Sequence, residues 1–185
     1  MATINGKALV RDGKAVDKVF SNGRQVYGRN LIHDTSFEQG LWETAFGNPK
    51  FEVTTEGNIK FSILNTGANG VGTPLEPVKM FKQYTLAAKV RGHGKFMPYI
   101  MYNGISNMAL YRDLSATSPM IDSATEFVEI KYIFTPRYRD TTKQGVFAVL
   151  TSETVDNWLE IKKDSLKFEA GNVPTAWTPA PEDYI

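Results

Sequence analysis

Cysteine is absent from the 185 residues. That gap excludes disulfide scaffolds, cysteine zinc sites, redox pairs and thiol nucleophiles. Histidine is scarce: His33 and His93 stand far apart, in neither an HExxH nor a zinc-like spacing. No charge of one sign dominates, with 21 Lys+Arg against 20 Asp+Glu for a formal net charge of +1. A dedicated duplex-binding protein needs a basic stripe to neutralise phosphates, so no nucleic-acid partner is expected. No apolar run approaches the roughly 18 residues of a membrane span. The opening MATINGKALVRDGK carries no apolar signal core. The expectation is a chain made in the cytoplasm without a signal peptide and without a membrane partner. No GxSxG elbow, GxxxxGK[ST] loop or GxGxxG turn occurs. Carboxylate pairs exist at Asp34/Glu38, Glu52/Glu56 and Glu126/Glu129, but 20 acids produce such pairs by chance. The reading is therefore no enzyme.

What the sequence has is strand pattern. Hydrophobic residues make up 42% and charged residues 22%, the balance of a globular chain that buries a core. Tyr84, Leu86, Ala88 and Val90 alternate with Thr85, Lys89 and Arg91; Val128, Ile130, Tyr132 and Phe134 alternate with Glu129 and Lys131. A period of two with one apolar face is the antiparallel signature. Val146 to Leu150 is an apolar run that fits a central strand. Asn69-Gly70 and Asn103-Gly104 read as turns, and residues 104–125 as an irregular loop or short helix. No stretch holds a 3.6-residue apolar period over three turns. Many short strands with Gly, Asn and Pro turns give an all-β sandwich or barrel.

Residues 1–28 form a distinct piece. Asn5-Gly6, Asp12-Gly13 and Asn22-Gly23 suit type I′ turns, whose two central residues both need φ > 0. They predict a small meander of hairpins, too short for a large core, that packs on a neighbour or on another chain. An ordinary extension of the main sheet is the alternative.

From Asn30 a pattern emerges. Asn30-Leu31-Ile32, Asp34, Ser36-Phe37-Glu38, Gly40-Leu41 and Trp42 resemble the opening strand of jelly-roll carbohydrate-binding modules. Tyr84-Thr85-Leu86 and Phe127 to Ile130 are similar to the family's later strands, and Trp158-Leu159-Glu160-Ile161 with Asp164-Ser165-Leu166 to its closing strand. The tail is more specific. Leu166 to Asn172, then Thr175-Ala176-Trp177-Thr178-Pro179-Ala180-Pro181-Glu182-Asp183, resembles the ending of tail and baseplate proteins of phages that infect Gram-positive bacteria. The hairpins up to Leu31 resemble the same proteins. The resemblance implies a jelly-roll β-sandwich over 29–185, preceded by an attachment segment at 1–28. It implies a virion component that binds host cell-wall polysaccharide and other tail or baseplate proteins, with sister copies of the chain as a further partner. A purely structural tail adaptor is the alternative function. The family's structural calcium would fall to Glu38 and Asp164, but Lys163 stands where a second acid is common, so no cofactor is assigned.

Sugars are gripped by aromatic rings stacked on pyranose C–H faces and by planar polar side chains that take hydroxyls. If Leu159 and Ile161 point inward, Trp158 points outward. If Phe96 and Ile100 point inward, Tyr99 points outward. With Arg91, Glu129 and Lys131 these form the candidate carbohydrate platform. Against this, Trp158 can simply close the sandwich edge and Tyr99 cover a neighbouring strand. Trp42 stacks on ligand at the rim or plugs the core, the plug being favoured. Tyr102 and Tyr111 flank the 104–125 segment and either contact ligand or anchor it. Trp177 reads as packing over the base of the domain.

Overall fold

A computed structural model describes residues 9–63, 69–79, 81–101, 119–135, 145–151 and 157–184. Two hairpins come first: β1 (Val10–Arg11) with β2 (Lys14–Ala15), and β3 (Lys18–Ser21) with β4 (Arg24–Gly28). Their turns are built as expected, with φ of 51° and 71° at Asp12 and Gly13, and 50° and 74° at Asn22 and Gly23. Asn5-Gly6 and Asn103-Gly104 lie outside the described residues.

The remaining strands are β5 (Glu43–Phe46), β6 (Pro49–Val53), β7 (Ile59–Ile63), β8 (Asn69–Leu75), β9 (Tyr84–Lys95), β10 (Met97–Met101), β11 (Met120–Phe134), β12 (Gly145–Thr151), β13 (Trp158–Ile161) and β14 (Lys167–Ala170). They form a four-stranded sheet, β10-β12-β8-β5, and a six-stranded sheet, β11-β9-β13-β7-β6, with β14 also on β9. Every pairing is antiparallel. The fold is an all-β, jelly-roll β-sandwich. Alternation supplies the core: Leu86, Ala88, Val90, Ile59, Phe61, Leu159, Ile161 and Phe168 from the six-stranded sheet meet Val71, Leu75, Ile100, Phe147 and Val149 from the four-stranded one. Among the described residues no helix is long and apolar enough to cross a membrane.

Three local expectations need correction. Asn69-Gly70 opens β8 rather than forming a turn, because both residues take ladder partners in β12. Met120 to Thr125 belong to β11, and β9, which runs on past Gly92, pairs with Met120 to Ser123 of them; residues 104–118 lie outside the described residues. Val128 is 44% exposed rather than core. It follows a register shift in β11, at the edge of the sheet, where nothing among the described residues flanks it.

The residues that carry the family resemblance join the two ends of the chain. The buried Asn30 side chain donates to Leu166 O, Thr178 O and Thr35 Oγ1, and accepts from the Ile32 and Phe168 amides. All its polar capacity is used, which a buried amide requires. The Asp34 carboxylate accepts three amides, from Glu38, Gln39 and Leu41. Its own amide donates to the Asp183 carboxylate. Trp177 Nε1–H donates to Thr35 Oγ1 at 3.2 Å, so this tryptophan does pack over the base.

A charged clasp lies alongside. Arg29 donates to Glu76 at 2.7 Å, to Asp17 at 3.3 Å and to Glu182, linking the hairpin loop, the sandwich and the final 3-10 turn at Pro181–Tyr184. His33 Nε2 lies 2.9 Å from the same Glu76. Burial pulls the His33 pKa down, but the Glu76 hydrogen bond and the surrounding carboxylates outweigh it and the net shift is upward.

Candidate functional site

The sandwich has two outer faces, and their chemistry differs. On the six-stranded sheet, register places His93, Trp158, Ser62 and Lys50 in one cross-strand row, and Arg91, Glu160, Lys60 and Glu52 in the next. Lys89 sits opposite Glu129. The charges of the second row alternate in sign, and Arg91 pairs directly with Glu160. Arg91 forks onto Glu160 with bonds of 3.0 and 2.8 Å and reaches Glu56 at 3.2 Å. These hydrogen bonds raise the guanidinium pKa above its ordinary value. Glu160 is only 3% exposed and also accepts from Asn58 at 2.6 Å. The Arg91 guanidinium lies 4.6 Å from the Phe127 ring centre. Lys60 Nζ sits 4.4 Å above the Trp158 ring, so a cation already takes one face of that indole. His93 meets the indole edge and pairs with Asp122 at 2.6 Å.

Other chain segments cover part of this face. Lys167 and Glu169 of β14 are buried, and Lys167 donates to Thr175 Oγ1 and to Ala176 O. Glu169 accepts from the Thr175 amide and hydroxyl and from Gln25. Burial lowers the Lys167 pKa to about 8.

The four-stranded face is built from different residues. Its rows run Tyr99–Ala148–Gly72–Glu43, Met97–Leu150–Gly70–Phe46 and Met101–Val146–Pro74. Glu43, on the edge strand β5, is the sole charged residue in them. Ala45, Phe46, Met97, Tyr99 and Val146 form one half-buried apolar cluster. The Phe46 and Tyr99 rings lie 6.4 Å apart at a tilt of 56°. Glycine is required between them: a Cβ on Gly72 would fall 2.8 Å from Val146 Cγ1 and 3.2 Å from Ala45 Cβ. The Val146 and Ala45 side chains therefore close over Gly72 and fill the face there.

The residues singled out from the sequence are divided by this geometry. Trp158, Arg91, Glu129 and Lys131 share the outer face of the six-stranded sheet, whereas Tyr99 stands on the opposite side of the molecule. Trp42 is 7% exposed, sits edge-on to Phe37 at 5.5 Å and donates its Nε1–H to Asp34 O. It plugs the core, and its ring offers no face to a ligand. Tyr102 and Tyr111 lie outside the described residues. The sequence reading missed Phe46, because residues 43–46 carry no alternation that marks a strand. The Gly70-Val71-Gly72 spacing on the neighbouring strand β8 was the usable signal.

Two clefts accompany these faces. One of about 640 Å³ is walled by Lys89, Glu129, Lys131, Lys162, Asp164 and Trp177. Another of about 1270 Å³ lies between β3 and the sandwich, against Lys18, Arg29, Glu76, Lys82 and Tyr84. For metal ligation, His33, Glu76 and Glu182 converge among the described residues, but Arg29 already engages both glutamates. Glu38, one of the two acids considered for calcium, pairs with Lys163 Nζ. Burial raises the pKa of the other, Asp164.

No protein-family model matches the chain, and no curated protein does. Solved structures do. A CBM4 structure superposes with a TM-score of 0.52 at 17% identity, covering 71% of this chain and 96% of that one. The CBM22-1 xylan-binding domain from Paenibacillus barcinonensis Xyn10C gives 0.53 at 12% identity, covering 79% and 98%. The enzymatically active domain of bacteriophage CBA120 tailspike protein 4 gives 0.50 at 10% identity; 77% of this chain matches, against only 21% of the tailspike chain. At such identities the likeness establishes a shared fold.

Proposed function

We propose that the protein is a non-catalytic carbohydrate-binding component of a phage tail or baseplate, which holds host cell-surface saccharide on the outer face of its four-stranded sheet. One observation carries the choice of face. Tyr99 and Phe46 lie in a half-buried apolar cluster with Ala45, Met97 and Val146, in rows with little charge, whereas Trp158 and the Arg91–Glu160 pair of the opposite face are already engaged within the chain. A pyranose presents C–H faces that gain by stacking on rings and hydroxyls that need donors and acceptors. Tyr99 and the edge residue Glu43 supply both kinds of contact. The fold shared with carbohydrate-binding modules supports the reading, as do the motif residues that resemble phage tail proteins. A shallow face of this kind binds weakly, and repeated copies on a particle raise avidity.

The experiment is affinity electrophoresis and pulldown on neutral and cell-wall polysaccharides. At least one polysaccharide is expected to retard the native chain. Tyr99→Ala weakens retention about tenfold, the loss of about one ring contact of roughly 1.5 kcal/mol. If no polysaccharide is retained even when the chain is displayed multivalently, the structural adaptor reading replaces this one.

A further inference from the structure

β11 is an edge strand. Fifteen residues long, it pairs with β9 on one side and, among the described residues, with nothing on the other. An open edge with apolar side chains is a template for another strand. Ile133 is 56% exposed, and Val128 and Met120 are exposed further along the same strand. Proteins commonly defend such edges with charge, and β11 carries Glu129 and Lys131, about half exposed and 3.1 Å apart. The placement of these two charges is informative. They lie symmetrically about Ile130.

We propose that two copies of the chain join edge to edge through β11, antiparallel about a two-fold axis centred on Ile130. In that register Glu129 of each copy faces Lys131 of the other, twice. Val128 faces Tyr132, and Phe127 faces Ile133. Both are β-branched–aromatic pairs of the kind that stabilises antiparallel ladders. The neighbouring two-fold registers fail. Centring on Glu129 sets two carboxylates opposite each other, and centring on Lys131 sets two ammonium groups opposite each other, which is destabilising. A slip of one residue turns one copy over, so that Ile130, on the core side, meets the partner's solvent side. The interface is isologous and closes at two copies, since each copy spends its one β11 edge.

The axis that keeps core-side residues together runs perpendicular to the joined sheet. Both four-stranded sheets then lie on the same side of it. If the proposed carbohydrate face is correct, the dimer presents two such faces toward one surface, and the second binding event becomes intramolecular. The dimer itself does not depend on that reading.

Sedimentation equilibrium of the full chain tests the proposal. A species of twice 20.7 kDa is expected. Glu129→Lys and Lys131→Glu, each on an exposed position and each checked by circular dichroism, are expected to raise the dimer dissociation constant about tenfold or more. Mixing those two single variants restores a heterodimer, as the facing pairs become Lys–Glu again; the double exchange in one chain restores the homodimer. The cysteine-free background allows a register check. Oxidised Glu129→Cys mixed with Lys131→Cys cross-links, whereas neither does alone. A native chain that stays monomeric up to several hundred micromolar overturns the dimer. Single variants that dimerise like the native chain, or cross-linking of either cysteine variant with itself, overturn the register. Saccharide retention by the monomeric variants reports on the carbohydrate reading separately.

Discussion

The two outer faces of the sandwich follow the same alternation and end in opposite chemistry. On the six-stranded sheet each strand turns charged residues to the outside, and register sets Arg91 against Glu160 and Lys89 against Glu129. In this checkerboard Arg91 is paired with Glu160 and Glu56, and Lys131 with Glu129, within the chain. On the four-stranded sheet the outward positions are Gly70, Gly72, Met97, Tyr99, Val146 and Phe46. Glu43 at the edge is the sole charge in these rows. The difference separates a face with charged groups paired within the chain from one that carries almost no charge.

Substitutions on the charged side are therefore expected to cost stability and leave binding alone. The largest effect is at Gly92, where β9 passes β13. A Cβ there would fall 2.2 Å from Trp158 O, on a backbone with φ of +136°. Gly92→Ala should lower stability by about 3 kcal/mol or more in urea denaturation. Retention of native stability would contradict the close approach of the two strands.

Lys167 gives the next effect, through pH. Its folded pKa is about 8, below the ordinary 10.5. Between those values the unfolded chain holds a proton that the folded chain has released, so stability rises with pH across that window. From pH 8 to 10 the rise should be about 2 kcal/mol. Lys167→Met should flatten it in denaturation curves taken at half-unit steps. Above pH 10 the raised pKa values of Tyr27 and Tyr132 act in the opposite direction. A slope unchanged in the variant would show that Lys167 is not the group responsible.

Glu160→Gln comes third. It keeps the shape and removes the charge under the Arg91 fork, costing about 2 kcal/mol, below the range for a fully buried broken pair because Arg91 is partly solvated. Polysaccharide retention by this variant should match the native chain. A loss of retention with stability intact would move the binding face to the six-stranded sheet.

The strands were legible wherever one face was dry. β9 alternates from Leu86 to Lys95 because its inner residues meet the core and its outer residues meet water or charge. The hairpins were legible through Asp12-Gly13 and Asn22-Gly23, whose φ values leave few alternatives. Where both faces meet protein the pattern fades. Asn69 to Leu75 has Gly70 and Gly72 beneath Phe46, Ala45 and Val146, so it reads as turn residues although it is a central strand. Thr85 was read as outward and is buried, because the Gly171 carbonyl accepts its hydroxyl. The candidate platform was only partly legible. Alternation tells which side of its own strand a residue takes, so Tyr99 and Trp158 were both correctly read as outward. It says nothing of which sheet a strand joins, and pairing put these two rings on opposite sides of the molecule.

That separation allows one decisive comparison. Retention of the native chain, Tyr99→Ala and Trp158→Ala should be measured on the same saccharide by affinity electrophoresis, with melting curves alongside. The account predicts that Tyr99→Ala binds about tenfold more weakly while Trp158→Ala binds as the native chain does and only melts earlier. Weaker binding in Trp158→Ala with Tyr99→Ala unaffected would assign recognition to the charged face and contradict it.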